Sequence, residues 1–134
     1  MLYDEQLFIM ESTLPGSGRG LFTNVFIPKG ALITEYTGIV TTWEDADHDD
    51  GNNLYIYYVT KNHVIDASKD KKMLARFAND ANGRSKIKGS TTNSEYVLKG
   101  KRVYIQAIRN IQPGSEIFVS YGKEYWDTIT KNGI

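Results

Sequence analysis

Gly16-Ser17-Gly18-Arg19-Gly20 is the first stretch with chemical potential, because three glycines in five residues let backbone approach a ligand closely. It matches neither a dinucleotide fingerprint nor a phosphate loop: the strand-before, helix-after context and the Lys-Ser/Thr ending are missing. A second resource is tyrosine, present nine times in 134 residues. Tyr36 in EYTG and Tyr121 in SYG stand at the ends of β-branched runs. Hydroxyls at strand ends can line an aromatic-walled channel with a polar mouth, which suits a long cationic side chain. The plainer reading of most tyrosines is half-buried strand packing. Asp45 to Gly51 looks superficially like a calcium loop, yet the glycine comes one place late and no bidentate Glu follows at the twelfth position. A solvated acidic loop is the expectation there. His48 and His63 stand apart from other ligands, and cysteine is absent, so no metal site, triad, thiolate nucleophile or disulfide is expected.

The elements that must position these residues are mostly strands. Ala31 to Val40 is rich in β-branched residues and opens after the turn Pro28-Lys29-Gly30. Leu54 to Thr60 and His63 to Asp66 predict a hairpin around Lys61-Asn62. Glu95 to Leu98 and Arg102 to Ile108 predict another around Lys99-Gly100-Lys101. Ser115 to Tyr121 reads as a strand entered through Pro113-Gly114. The best helical segment is Ser68 to Phe77, with Met73, Leu74 and Phe77 on one face and Ser68 as N-cap. Segments 27–38 (IPKGALITEYTG) and 111–122 (IQPGSEIFVSYG) echo each other, each passing from Ile through a Pro/Gly turn into a strand. Gly83 to Asn93 is rich in Gly, Ser, Thr and Lys and reads as a mobile loop.

Length allows one domain, 1–134, and an apolar content of 40% suits a packed core. Sixteen basic and sixteen acidic residues cancel, so net charge gives no argument for nucleic acid. Their distribution is uneven. Glu35, Glu44, Asp45, Asp47, Asp49 and Asp50 form an acidic block, and residues 69–102 a basic one. No apolar run reaches the roughly 20 residues of a membrane span, and no signal-peptide pattern is present, so an intracellular protein without a membrane partner is expected.

Taken in order, these pieces resemble the SET family of protein lysine methyltransferases over about residues 15 to 126. Ser17-Gly18-Arg19-Gly20-Leu21-Phe22 resembles the family's cofactor-holding turn, and Glu35-Tyr36-Thr37-Gly38 the segment whose Tyr walls the lysine channel. Leu54-Tyr55-Ile56-Tyr57-Tyr58 with Val64-Ile65-Asp66-Ala67 is similar to the central insert. Arg76-Phe77-Ala78-Asn79 resembles the motif whose Asn binds the methionine part of the cofactor. Residues 116–122 resemble the final motif, which ends in the catalytic Tyr, and Tyr125-Trp126 the C-terminal aromatic lid of small, viral-type members. The chain departs from the pattern at Asp80, where the family has His, and in the longer loop ending at Asn93.

The resemblance implies a mainly β fold, the SET β-clip, with small twisted sheets, short helices and a C-terminal pseudoknot. It implies S-adenosylmethionine as methyl donor, S-adenosylhomocysteine as product, and no metal. Tyr121 and Tyr36 would be catalytic. Ser17, Gly18, Arg19, Tyr55, Arg76, Asn79, Asp80 and Trp126 would hold the cofactor, and Tyr96, Val119 and Tyr125 would shape the lysine channel, favouring mono- or dimethylation. An acidic rim at residues 44–50 would favour a basic protein tail such as a histone's. The basic block 69–102 would rest on nucleosomal DNA or be plain solvated surface. A homodimer follows from family analogy, as does a nuclear location for a eukaryotic or virus-encoded chain and a cytoplasmic one otherwise. Two alternatives stay open: a catalytically silent β-clip that binds peptide or cofactor, and an unrelated small barrel whose tyrosines are stacking platforms.

Overall fold

The computed structural model describes residues 2–46, 56–68, 73–80 and 91–119. Eight short strands carry this part of the chain: β1 (Leu7–Glu11), β2 (Arg19–Thr23), β3 (Leu32–Tyr36), β4 (Ile39–Thr41), β5 (Ile56–Thr60), β6 (His63–Asp66), β7 (Ser94–Lys99) and β8 (Arg102–Ala107). They form three small antiparallel sheets, ordered β1-β2, β3-β8-β7 and β4-β6-β5. The mainly β expectation holds.

Both predicted hairpins are present. Period-2 alternation on β8 buries Val103, Ile105 and Ala107 while Arg102, Tyr104 and Gln106 turn outward, as a strand with one face on a core requires. Gly100 closes the β7–β8 turn at φ 66, a conformation that a Cβ disfavours. β1 and β2 are a third hairpin, in register from Leu7↔Thr23 to Glu11↔Arg19, with the Phe8 and Phe22 rings stacked 5.4 Å apart.

Two expectations are corrected. Residues 31–40 are not one strand: the chain leaves the β3 sheet after Tyr36 and joins another as β4. The break is at Gly38, where a Cβ would overlap the Asp66 carbonyl, so the two backbones meet at a distance only glycine permits. Among the described residues of the span, 68 and 73–77, no helix capped by Ser68 is found. Met73 is extended, and only Leu74–Phe77 wind into a single 3-10 turn capped at Met73. The apolar face was read correctly, since Met73 is buried and Leu74 and Phe77 pack against the core.

The echoing segments pair with each other. Ile27 and Ile111 exchange both backbone hydrogen bonds, 2.9 and 2.8 Å, and each is followed by a turn ending in a positive-φ glycine, Gly30 or Gly114. One core cluster, including Leu21, Ile33, Ile65, Ile105, Ile117 and Val119, draws on all three sheets and on the last described segment. Burying each such side chain contributes roughly 1.5–3 kcal/mol.

That last segment, 115–119, is the element on which the site depends. It reads as a strand in sequence but lies as a threaded ribbon, tied on one side to β2 and on the other to residues 79 and 93–94. Ile117 N–H donates to the Leu21 carbonyl at 2.7 Å and Thr23 N–H to that of Ser115 at 3.2 Å. Across the ribbon, Val119 N–H donates to the Asn79 carbonyl at 2.9 Å, and Ser94 N–H and Oγ both reach the Phe118 carbonyl. The ribbon is thus hydrogen-bonded along both edges as far as Val119.

Candidate active site

The Gly-rich turn, Asn79 and the threaded ribbon meet at one buried carboxylate, Glu116. Its Oε1 accepts from Thr13 N–H at 2.8 Å and Thr13 Oγ1 at 2.7 Å. Its Oε2 accepts from Ser12 Oγ at 2.7 Å and, at a longer 3.4 Å, from Asn79 Nδ2. Four donors around a carboxylate 5% exposed satisfy a charge that would otherwise be costly to bury. Gly20 makes room for it: a Cβ there would overlap Glu116 Oε2. Ser12 N–H also donates to the Gly18 carbonyl at 2.8 Å, which closes the base of the turn. Leu14 within the turn packs on Phe118 of the ribbon.

Asn79 is held by two acceptors at once. Besides Glu116, its Nδ2 donates to the Arg19 carbonyl at 3.0 Å, so one side chain joins the 3-10 turn to the start of β2. Asn93 does similar work on the ribbon. Its Nδ2 donates to the Glu116 carbonyl and its Oδ1 accepts from Phe118 N–H, both at 2.9 Å, so the amide stands in for a neighbouring strand.

A second constellation is aromatic. Tyr36 at the end of β3, Tyr57 on β5 and Tyr96 on β7 form a triangle, with ring centroids 6.0, 5.9 and 5.4 Å apart in tilted and edge-on contacts. One tyrosine thus comes from each of three elements. Tyr36 is buried, and burial pushes the Tyr57 phenol above its ordinary value. Tyr57 and Tyr96 are partly buried against the same core as Tyr36. A pocket of about 310 Å³ opens beside Tyr36, lined also by Glu35, Gly38, Val40, Ile65 and Arg102.

A model of the SET domain matches residues 18–122, most of the chain. The chain belongs to the SET family. Similar curated proteins include N-lysine methyltransferase KMT5A-A of Danio rerio, 28% identical over 125 residues that cover 85% of this chain and 35% of that protein. Histone-lysine N-methyltransferase set-1 of Caenorhabditis elegans is 28% identical over 125 residues, covering 86% and 50%. Histone-lysine N-methyltransferase ASHH1 of Arabidopsis thaliana is 32% identical over 118 residues, covering 83% and 23%. The chain spans about a third to half the length of the first two.

Within this SET fold the expected residues fall into three groups. Ser17, Gly18 and Arg19 lie on the turn and at the start of β2, next to Asn79; Gly16 and Gly18 hold φ values of 74° and 67°. Tyr36 and Tyr96 meet in the aromatic triangle, and Val119 is fully buried in the same core. Arg76 is turned to the backbone, its Nη1 donating to the Ala67 carbonyl at 3.1 Å, and Asp80 is 4% exposed. Tyr55, Tyr121, Tyr125 and Trp126 lie outside the described residues, as do His48, most of the acidic stretch 45–51 and the loop 83–90. His63 donates from Nε2 to the Lys101 carbonyl at 3.1 Å, an ordinary partner as expected. Sequence reasoning missed the roles of Ser12, Thr13, Tyr57, Asn93 and Glu116. Only Glu116 carried a signal: a lone carboxylate opening an apolar run, Glu116-Ile117-Phe118-Val119.

Proposed function

We propose that this SET chain is a protein-lysine N-methyltransferase using S-adenosylmethionine, acting as one catalytic unit. The observation that carries the reading is the joining of the Gly-rich turn, Asn79 and the ribbon whose sequence continues to Tyr121 through Glu116. The residues fit the cofactor. Ser17, Gly18 and Arg19 are the proposed backbone contacts, and among the described residues nothing donates to Asn79 Oδ1. Asp80, Arg76, Tyr55 and Trp126 complete the proposed set.

When bound, the cofactor supplies a methyl group on a cationic sulfur. The protein's part is to deliver a neutral amine to it in line. A lysine amine with a pKa of about 10.4 is mostly protonated at neutral pH, and an apolar aromatic channel disfavours its charged form. Tyr36, Tyr57 and Tyr96 supply that desolvation, with Tyr125 closing the channel. The Tyr121 hydroxyl, two residues beyond Val119, orients the amine. Tyr96 and Val119 leave room for one or two methyl groups.

The substrate we propose is a Lys/Arg-rich histone tail, in keeping with the names of two relatives and with exposed Glu44 and Asp45. Nuclear residence and nucleosome contact through residues 69–102 belong to the same proposal, as does a homodimer. Incubation with labelled S-adenosylmethionine and histones, nucleosomes or lysate, read by mass spectrometry, tests it. Mono- or dimethyl-lysine that vanishes with Tyr121→Phe is expected. Absence of both transfer and cofactor binding would overturn the reading.

A further inference from the structure

Asn79 presents a choice of orientation that its surroundings decide. An amide side chain has a donor end and an acceptor end, and a ligand meets whichever end the protein leaves. Here both neighbours of Nδ2 are acceptors: the Arg19 carbonyl at 3.0 Å and Glu116 Oε2 at 3.4 Å. The flipped amide would set Oδ1 against a carbonyl and a carboxylate, two repulsive contacts replacing two attractive ones. Glu116 cannot retreat, since Thr13 N–H, Thr13 Oγ1 and Ser12 Oγ pin both of its oxygens and Gly20 backs it. The side chain of Asn79 is half-buried, and among the described residues nothing donates to its Oδ1.

We infer that Glu116 is a positioning residue that locks the Asn79 amide with Oδ1 outward, so that the site selects a ligand carrying an ammonium group. The inference rests on the methyltransferase reading, in which that ammonium is the α-amine of the cofactor's methionine part. Glu116 never touches the ligand. It acts by fixing which end of Asn79 does.

The test separates ligands that have the amine from those that lack it. The ¹⁵N-labelled chain is titrated with S-adenosylhomocysteine and with 5′-methylthioadenosine, which keeps the adenosine and sulfur but has no amino-acid end. Chemical shifts report both tight and weak binding. Glu116→Gln can offer its own N–H₂ to a flipped Asn79, and a lost hydrogen bond to a charged group corresponds to roughly ten- to a hundredfold weaker homocysteine-ligand binding. Methylthioadenosine should bind Glu116→Gln as it binds the original chain. Asn79→Ala should reproduce the selective loss, and the double variant should lose no more than either single one. Equal weakening of both ligands, or additive losses, would overturn the inference. If Glu116→Gln does not fold, the Asn79 side-chain amide of the original chain decides: slow exchange of both protons supports the lock, and fast exchange overturns it. Failure of the original chain to bind either ligand removes the cofactor reading itself, and the inference with it.

Discussion

At the scale of single residues, the tyrosine triangle and two glycines make distinct demands. Burial raises the Tyr57 pKa above its ordinary value of 10.0, so the folded state favours the protonated phenol. The sign follows from linkage: this stabilisation is complete below pH 10.0 and is lost as pH rises through the folded value. Thermal melts between pH 8 and 11 should therefore fall more steeply for the original chain than for Tyr57→Phe; parallel curves would refute the buried phenol. Gly20 and Gly38 sit against different neighbours. A methyl group at residue 38 meets the Asp66 backbone, which cannot swing away, whereas at residue 20 it meets the carboxylate of Glu116. Overpacking of this kind costs roughly 1–3 kcal/mol or more. Gly38→Ala is expected to lower stability with no special effect on ligand. Gly20→Ala is expected to lose cofactor binding as well, because it displaces the group that holds Asn79. Denaturant unfolding alongside a binding titration would distinguish the two.

At the scale of elements, the ribbon 115–119 differs most from what its sequence suggests. Glu116 to Val119 has the β-branched and aromatic content of a strand, and nothing in its pattern says that its partners lie on both sides. The hairpins β5–β6 and β7–β8 were legible because alternation and turn residues are local signals. The division of residues 31–40 was hidden because it depends on Asp66, far along the chain, coming against Gly38. The 3-10 turn at Leu74–Phe77 was overread as a helix because apolar spacing reports a buried face and not the winding beneath it. Asn93 offers a test of the ribbon. Its amide satisfies Phe118 N–H and the Glu116 carbonyl, and Phe118 is buried. Asn93→Ala should strand those groups at a cost of about 1–3 kcal/mol. Asn93→Asp should be worse, since a carboxylate oxygen would then face the Glu116 carbonyl. Equal stability of all three chains in urea would show that the ribbon is held by other contacts.

At the scale of the whole molecule, the family was legible as an ordered set of motifs, and the way the fold joins them was not. Motif order pointed to Asn79, Tyr36 and Tyr96, which the fold brings to β2 and to the aromatic triangle. The long-range agents that join them, Glu116 with Ser12 and Thr13, are separated by more than a hundred positions, beyond any local pattern. Through the same connectivity, the proposed cofactor binding would be a global event. Leu21 beside the turn, Ala78 beside Asn79, and Ile117 and Val119 of the ribbon all belong to the core cluster that also holds Ile33 and Ile105. A ligand gripping the turn and Asn79 therefore stabilises the entire fold and not one loop. At a hundredfold excess over its Kd, S-adenosylhomocysteine should add about 2.7 kcal/mol. For a chain of this size that is a rise in Tm of roughly 5–15 °C. Calorimetry and near-ultraviolet dichroism of the aromatic residues should report one transition moving together. Ile105→Ala, a core truncation costing roughly 2–5 kcal/mol, should lower that transition while leaving the ligand-induced increment nearly unchanged, because Ile105 lies on β8 and supplies none of the hydrogen bonds that join Glu116 to Asn79 and Asn79 to Arg19. A Tm indifferent to the ligand would mean that the turn, Asn79 and the ribbon do not together form a cofactor site.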